Sequence, residues 1–170
     1  MHCDAREVSH HLILELDNRQ ENIGFDYRGD VKIFDLGLCK GLSSRLKSKE
    51  GVGYLLTPRT GSIPYMAPEV VLMKPYDCNC DVFSFAVLLW EMLSLKTAFK
   101  GYSRLDYLNR VVKRRERPVA YRRWPALTRS VIKEAWENDP MRRPSMKRVA
   151  LLLHGDVNEM TSGSKPGIRA

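Results

Sequence analysis

The sequence lacks any apolar run of the ~18 to 20 residues needed to cross a bilayer, so no membrane span is expected. The opening Met1-His2-Cys3-Asp4-Ala5-Arg6-Glu7 has no apolar stretch behind a basic start and does not read as a signal peptide. A cytoplasmic protein is the expectation, with the nucleus left open. Cysteine is scarce: Cys3, Cys39, Cys78 and Cys80 are all there is. Cys78 and Cys80 are too close for an ordinary disulfide and lack the paired His/Cys set of a zinc site, so buried free thiols are expected, as suits a reducing compartment. Aromatics are few, at 9% of residues, and do not interleave with the basic stretch from Lys96 to Arg148, which argues against a nucleic-acid interface.

What is present is a globular composition, with 44% hydrophobic and 28% charged residues. The net charge of +8 is uneven, since Lys96 to Arg148 holds 16 Lys/Arg against 5 Asp/Glu. Such a block suits acidic protein surfaces, anionic lipid or plain solvation, and a solvated basic face is the simplest reading.

Along the chain, residues 1–11 are polar and irregular. Ile23-Gly24-Phe25 and Val31-Lys32-Ile33-Phe34 read as strands joined by the turn-rich Asp26-Tyr27-Arg28-Gly29-Asp30, which predicts a hairpin with Asn22 and Asp35 on the same side. Residues 38–68 show little periodicity and form a long loop of the kind that carries function. Asp81 to Leu93 is apolar nearly all round and predicts a fully buried central helix. Ser103-Arg104-Leu105-Asp106 reads as a capping box opening a helix through Val112. Pro125 suits the first turn of a helix carrying Leu127, Val131, Ile132, Ala135 and Trp136. Ser145 suits the cap of a last helix with Met146, Val149, Leu152 and Leu153 facing inward, and a disordered tail is expected over 155–170.

The chemistry concentrates in Asp17-Asn18-Arg19-Gln20-Glu21-Asn22 and the later Asp35-Leu36-Gly37. One carboxylate can orient a hydroxyl nucleophile, while an amide and a second carboxylate can hold metal ions that neutralise phosphate charge. Asp17 or Asn22 alone is better explained as a turn residue than as a catalyst.

Together with motifs further along the chain, these residues resemble the C-terminal lobe of a eukaryotic protein kinase, of serine/threonine type within the tyrosine-kinase-like group. Glu15-Leu16-Asp17-x-x-x-x-Asn22 is similar to the family's H-R-D-x-x-x-x-N, Asp35-Leu36-Gly37 to its D-F-G, and Ala67-Pro68-Glu69 to its A-P-E. Asp81-Val82-Phe83-Ser84-Phe85 resembles the start of that lobe's buried helix, and Trp136 to Pro144 its closing motif. The resemblance runs from about Leu12 to Leu153. It implies a mainly α fold, a helical lobe around a buried central helix with a short catalytic-loop hairpin, and a partial kinase domain over 12–154.

The resemblance implies transfer of the ATP γ-phosphoryl group to Ser/Thr hydroxyls of a protein substrate, with ATP and Mg2+ as cofactors. Asp17 would orient the substrate hydroxyl. Arg19, where such kinases usually carry Lys, would steady the transferring phosphate. Asn22 and Asp35 would hold magnesium, and Arg19, Asn22 and Asp35 would contact the nucleotide-metal unit. Thr57, Thr60 and Ser62 fall in the activation loop. Glu69 would pair with Arg143, and Asp81 would cap the buried helix and hold the catalytic-loop backbone.

Three departures matter. No G-x-G-x-x-G loop and no Lys in a V-A-I-K setting occurs in the chain, so the resemblance requires an N-terminal lobe in cis or in trans, and phosphoryl transfer by this chain alone is not expected. Glu15-Leu16 replaces His-Arg, which removes the usual Arg partner of a phosphorylated Thr57 or Thr60. Leu36 replaces Phe and keeps an apolar residue. A non-catalytic binding or scaffold module and a truncated gene product stand as alternatives.

Overall fold

The computed structural model describes residues 12–13, 22–34, 40–42, 46–48, 53–56 and 62–162. Two small antiparallel pairs come first. Strands β1 (Leu12–Ile13) and β4 (Lys40–Gly41) pair Leu12 with Gly41, and β2 (Ile23–Phe25) and β3 (Val31–Ile33) pair Ile23 with Ile33. The second pair is the hairpin expected from its turn residues. Asp26 builds that turn by accepting the backbone N–H groups of Arg28 at 2.8 Å and Asp30 at 3.1 Å, while Gly29 adopts φ +85°. The rest is helical: α1 (Pro68–Val71), α2 (Asn79–Ser94), α3 (Arg104–Asp106), a π-helical stretch (Tyr107–Lys113), α4 (Ala126–Ala135) and α5 (Met146–Ser162). The architecture is mainly α, as the resemblance implies.

Helix α2 is the axis of the core. Val82, Phe83, Ala86, Val87, Leu88 and Trp90 are all buried, so its side chains face protein in almost every direction. Its first turn corrects one expectation. Asp81 is not the cap: the helix opens at Asn79, and Asp77 accepts the Asn79 backbone N–H at 2.9 Å. Asp81 is instead a buried residue inside the helix. The helix ends where Leu95 enters the left-handed region at φ 56°.

Helix α4 packs against both α2 and α5. Its apolar face (Val131, Ile132 and Ala135) is wholly buried. Pro125 occupies the N-cap rather than the first helical turn. The orphan donors there are met from another helix: the buried Asp156 accepts both the backbone N–H and the hydroxyl of Thr128 at 2.6 Å. A carboxylate at a helix N-terminus is also favoured by the helix dipole.

That contact explains a second correction. Residues 155–162 are not a disordered tail but the last turns of α5, because Asp156 has a buried role. Residues 163–170 lie outside the described residues. Ser145 does support the start of α5, accepting the Arg148 N–H at 3.3 Å, but Met146 is exposed rather than inward-facing. Of the cysteines, Cys80 is buried while Cys78 is exposed, contrary to the expectation for it; Cys3 and Cys39 lie outside the described residues.

The loop over 38–68 is more organised than its composition suggests. Leu55 N–H donates to Leu46 O at 2.7 Å and Ser48 N–H to Gly53 O at 3.0 Å, a short local pairing. Tyr54 then exchanges two backbone hydrogen bonds with Tyr76, at 2.8 and 3.1 Å. Gly53 permits this approach: it adopts φ +73°, and a Cβ there would lie 2.9 Å from Tyr76 N.

Candidate functional site

The described part of the site is a platform that fixes the end of the 38–68 segment against the helical core. It begins at Ser62, which precedes a 3-10 turn over Ile63–Tyr65. Pro64 presets the turn's backbone, and Tyr65 N–H donates to Ser62 O at 3.0 Å. Three side chains then hold it. The Tyr65 hydroxyl donates to Glu91 Oε2 at 2.5 Å, Ser84 Oγ donates to Tyr65 O at 2.7 Å, and the Tyr107 hydroxyl donates to Met66 O at 3.0 Å. Burial pushes the Tyr107 phenol far above its ordinary range, so it stays a neutral donor.

Ala67-Pro68-Glu69 comes next, with Pro68 opening α1. Glu69 meets Arg143 across the lobe in a two-pronged ion pair, Nη1 to Oε1 at 2.6 Å and Nη2 to Oε2 at 2.7 Å. Both side chains are buried. Arg143 spends its other donors on backbone carbonyls, Asn79 O and Glu137 O, each at 2.8 Å. One guanidinium thus ties α1, the start of α2 and the turn before α5 together, which planar five-donor geometry allows and a lysine would not.

A second, half-buried cation lies beside it. Arg117 donates to Trp136 O at 2.9 Å, to Val111 O at 2.9 Å and to Asn138 Oδ1 at 2.5 Å. Burial lowers its pKa to about 10, which leaves it charged at neutral pH. The Cζ atoms of Arg117 and Arg143 lie 5.1 and 5.2 Å from the centroid of the Phe83 ring, so α2 offers the two cations an aromatic neighbour.

The hairpin carries the remaining described site residue. Asn22 precedes β2, and Phe34 N–H donates to Asn22 O at 2.7 Å. Phe34 is therefore held beside Asn22 at the open end of the hairpin. Asp17, Arg19, Asp35, Thr57 and Thr60 lie outside the described residues, as do Glu15 and Leu16. Of the sequence-derived set, the structure brings Glu69 and Arg143 into contact, sets Ser62 at the head of the pinned turn, buries Asp81 in α2 and leaves Asn22 at the mouth of the hairpin.

Sequence reasoning missed Glu91, Tyr65, Tyr107 and Arg117. Glu91 had a readable signal. A carboxylate in a helix that is apolar all round is either buried with donors or does not belong there. Glu91 is buried, accepting from Tyr65 and, at 2.6 Å, from the Ala98 N–H.

The wall beside the pinned turn is α3 and the π-helical stretch, held by surface polar contacts. Ser103 and Asp106 form a reciprocal capping box. Glu116 accepts Arg110 Nε at 2.8 Å and Nη2 at 2.9 Å, and also the Tyr102 hydroxyl. The Ser103 hydrogen bonds hold the Asp106 carboxyl below its ordinary range, and the Arg110 and Tyr102 hydrogen bonds do the same for Glu116. A carboxylate whose folded pKa is depressed contributes stability above its unfolded pKa and loses it as pH falls through the folded value. Segment 103–116 is therefore expected to loosen selectively in acid, below the ordinary carboxylate range, and to be indifferent to mild alkali. Amide exchange followed as pH is lowered, corrected for intrinsic rates, checks this; uniform loosening of α2 and segment 103–116 together would contradict it.

Comparison with known proteins agrees with this architecture. A helical lobe around one buried helix, with Ala-Pro-Glu ion-paired to a distant Arg, is the form of a kinase C-terminal lobe. The family model described as protein tyrosine and serine/threonine kinase matches residues 12–153. The chain belongs to the protein kinase family. It is 36% identical over 140 residues to the dual specificity protein kinase shkB of Dictyostelium discoideum, covering 81% of this chain and 20% of that protein. It is 32% identical over 149 residues to the serine/threonine-protein kinase STY17 of Arabidopsis thaliana, covering 87% and 25%. It is 33% identical over 136 residues to mitogen-activated protein kinase kinase kinase 7 of Drosophila melanogaster, covering 80% and 19%. The chain thus spans a quarter or less of the length of these relatives. Among the described residues, no helix is long and apolar enough to cross a membrane.

Proposed function

We propose that this chain is the substrate-side lobe of a protein serine/threonine kinase, which moves the ATP γ-phosphoryl group to a protein hydroxyl when joined to a nucleotide-covering lobe. The observation that carries the reading is the Glu69–Arg143 pair, because it fastens the Ala-Pro-Glu segment to the helical core at the end of the loop that begins with Asp35-Leu36-Gly37. The exposed face of the hairpin supports it as well. Phe25 is 73% exposed and shares that face with its cross-strand partner Val31 and with Ile33, an apolar surface suited to cover by a second lobe.

In this reading Asp17 accepts and orients the proton of the substrate hydroxyl. Arg19 steadies the phosphate with a cation. The oxygen donors of Asn22 and Asp35 suit magnesium, which prefers oxygen ligands, and the backbone bond from Phe34 N–H to Asn22 O holds Phe34, the residue before Asp35 in the sequence, beside Asn22. Bound Mg-ATP supplies the phosphoryl group and the charge neutralisation. Ser62 heads the turn that supports the substrate-facing loop, and Thr57 and Thr60 are candidate phosphoacceptors. A cytoplasmic setting goes with this reading.

The test is phosphoryl transfer to a protein substrate by the product as cells make it, wild type against Asp17→Asn. A loss of about 10²- to 10⁴-fold is expected. An unchanged rate, or none in the wild type, favours the second reading, a non-catalytic helical module. That reading draws on the replacement of the family's His-Arg by Glu15-Leu16 and on the buried core that the described residues build around α2.

A further inference from the structure

Helix α2 closes on a leucine whose side chain gains nothing from the fold. Leu95 sits in the left-handed region at φ 56°, and its side chain is 90% exposed. Its backbone has a clear duty, since its N–H donates to Glu91 O at 2.8 Å and ends the helix. Glycine performs that duty without steric cost, and asparagine is the next choice. A leucine there crowds its Cβ against the backbone and leaves an aliphatic group in water. Met92, one turn earlier on the same face, is 58% exposed as well.

Cations rim this projection. Trp90 Nε1 donates to Val119 O at 2.9 Å, and Lys96 Nζ donates to the Tyr121 hydroxyl at 3.1 Å, so the segment 119–123 is strapped along the end of α2. Arg123 and Lys96 both lie over the Tyr121 ring, at 4.9 and 5.5 Å from its centroid, and Arg122, next in the chain, is exposed. Among the described residues, no carboxylate pairs with Lys96, Arg122 or Arg123. From Lys96 to Arg123 the chain has 10 Lys/Arg against 2 Asp/Glu, so the field around the leucine is positive.

We propose that this end of α2 is a contact site for an anionic membrane surface. Leu95 and Met92 enter the boundary between headgroups and acyl chains, and Lys96, Arg122 and Arg123 meet the lipid phosphates and carboxylates. An apolar tip with a cationic rim is the arrangement of interfacial anchors. A fluid acyl layer needs no shape complement, which suits a leucine that projects from the surface. A second copy of the chain is a poor occupant, because two positive rims would face each other. The contact is peripheral and needs no spanning helix. It needs neither nucleotide nor a second lobe, so it can fail while phosphoryl transfer is observed, and the reverse.

The test is co-flotation of the full 170-residue chain with phosphatidylcholine vesicles, made with and without phosphatidylserine. Flotation keeps aggregated protein out of the bound fraction. The wild type is expected to bind the anionic vesicles about 10²-fold more tightly at low salt, from three cations at about fivefold each, and to lose most of that preference at high salt. Leu95→Gly is expected to bind the anionic vesicles about tenfold more weakly or less, through the loss of one inserted aliphatic side chain. Because glycine suits the left-handed position, the same variant is expected to melt no lower than the wild type, which separates membrane contact from folding. Arg122→Gln combined with Arg123→Gln is expected to lose about tenfold or more of the preference for phosphatidylserine, with a melt near the wild type's. No flotation, equal flotation with neutral and anionic vesicles, or Leu95→Gly binding as tightly as the wild type would each overturn the proposal. So would a Leu95-dependent complex with soluble polyglutamate tighter than that with vesicles, which would point to an acidic protein instead.

Discussion

Replacing Arg143 with alanine is expected to destabilise the lobe by about 3 to 5 kcal/mol, as the removal of one partner from a buried ion pair does. The cost arises less from the attraction lost than from what remains. Glu69 would keep a buried carboxylate without its two-pronged donor, and the carbonyls of Asn79 and Glu137 would lose theirs. Arg143→Lys keeps the charge but cannot reach three elements at once, so an intermediate loss is expected. A double replacement, Glu69→Met with Arg143→Met, is expected to cost less than Arg143→Ala alone, because no buried charge is stranded. Urea unfolding of the four proteins measures this directly. A midpoint for Arg143→Ala close to wild type would mean that the pair contributes nothing to the fold.

Glu91→Ala is the second large effect. Its carboxylate accepts the Tyr65 hydroxyl and the Ala98 N–H deep in the core. Alanine would leave both donors buried and unsatisfied, each costing about 1 to 3 kcal/mol, so a loss of about 3 kcal/mol or more is expected. Glu91→Gln retains a side-chain oxygen for Ala98 and an amide that can donate to the Tyr65 oxygen, and a smaller loss is expected. Because Tyr65 belongs to the turn headed by Ser62, Glu91→Ala should also speed amide exchange at residues 63–66, whereas a general destabilisation would speed exchange everywhere. Equal stability of the alanine and glutamine variants would show that the carboxylate is not the anchor inferred from the geometry.

The fold was legible where local chemistry and tertiary need agree. The run from Val82 to Trp90 could be nothing but a buried helix, and the turn residues from Asp26 to Asp30 specified the hairpin. The sequence misled where a distant partner decides. Gly155 and the polar residues after it look like a tail, yet Asp156 completes the N-terminus of α4 and carries α5 on to Ser162. Asp81 looks like a cap, yet Asp77 reaches the first free N–H. The π-helical stretch has no signature in a sequence that begins with an orthodox capping box, because its register depends on how Tyr107 and Arg110 are held. The pair Glu69–Arg143 was readable only through resemblance, since nothing local links residues so far apart in the chain.

The bridge between Tyr54 and Tyr76 makes the intervening chain a closed loop. Its two ends are tied together at the bridge, and the Ser62–Met66 turn moors it again to α2 and the π-helical wall. A tether shortens reach, since each residue spans at most ~3.3 to 3.6 Å. The anchors on either side, Tyr54 at the bridge and Ser62 at the turn, are eight positions apart in the sequence. A cut anywhere between the two anchors would therefore leave Tyr54 still bonded to Tyr76 and the Ser62–Met66 turn still bonded to Glu91, Ser84 and Tyr107.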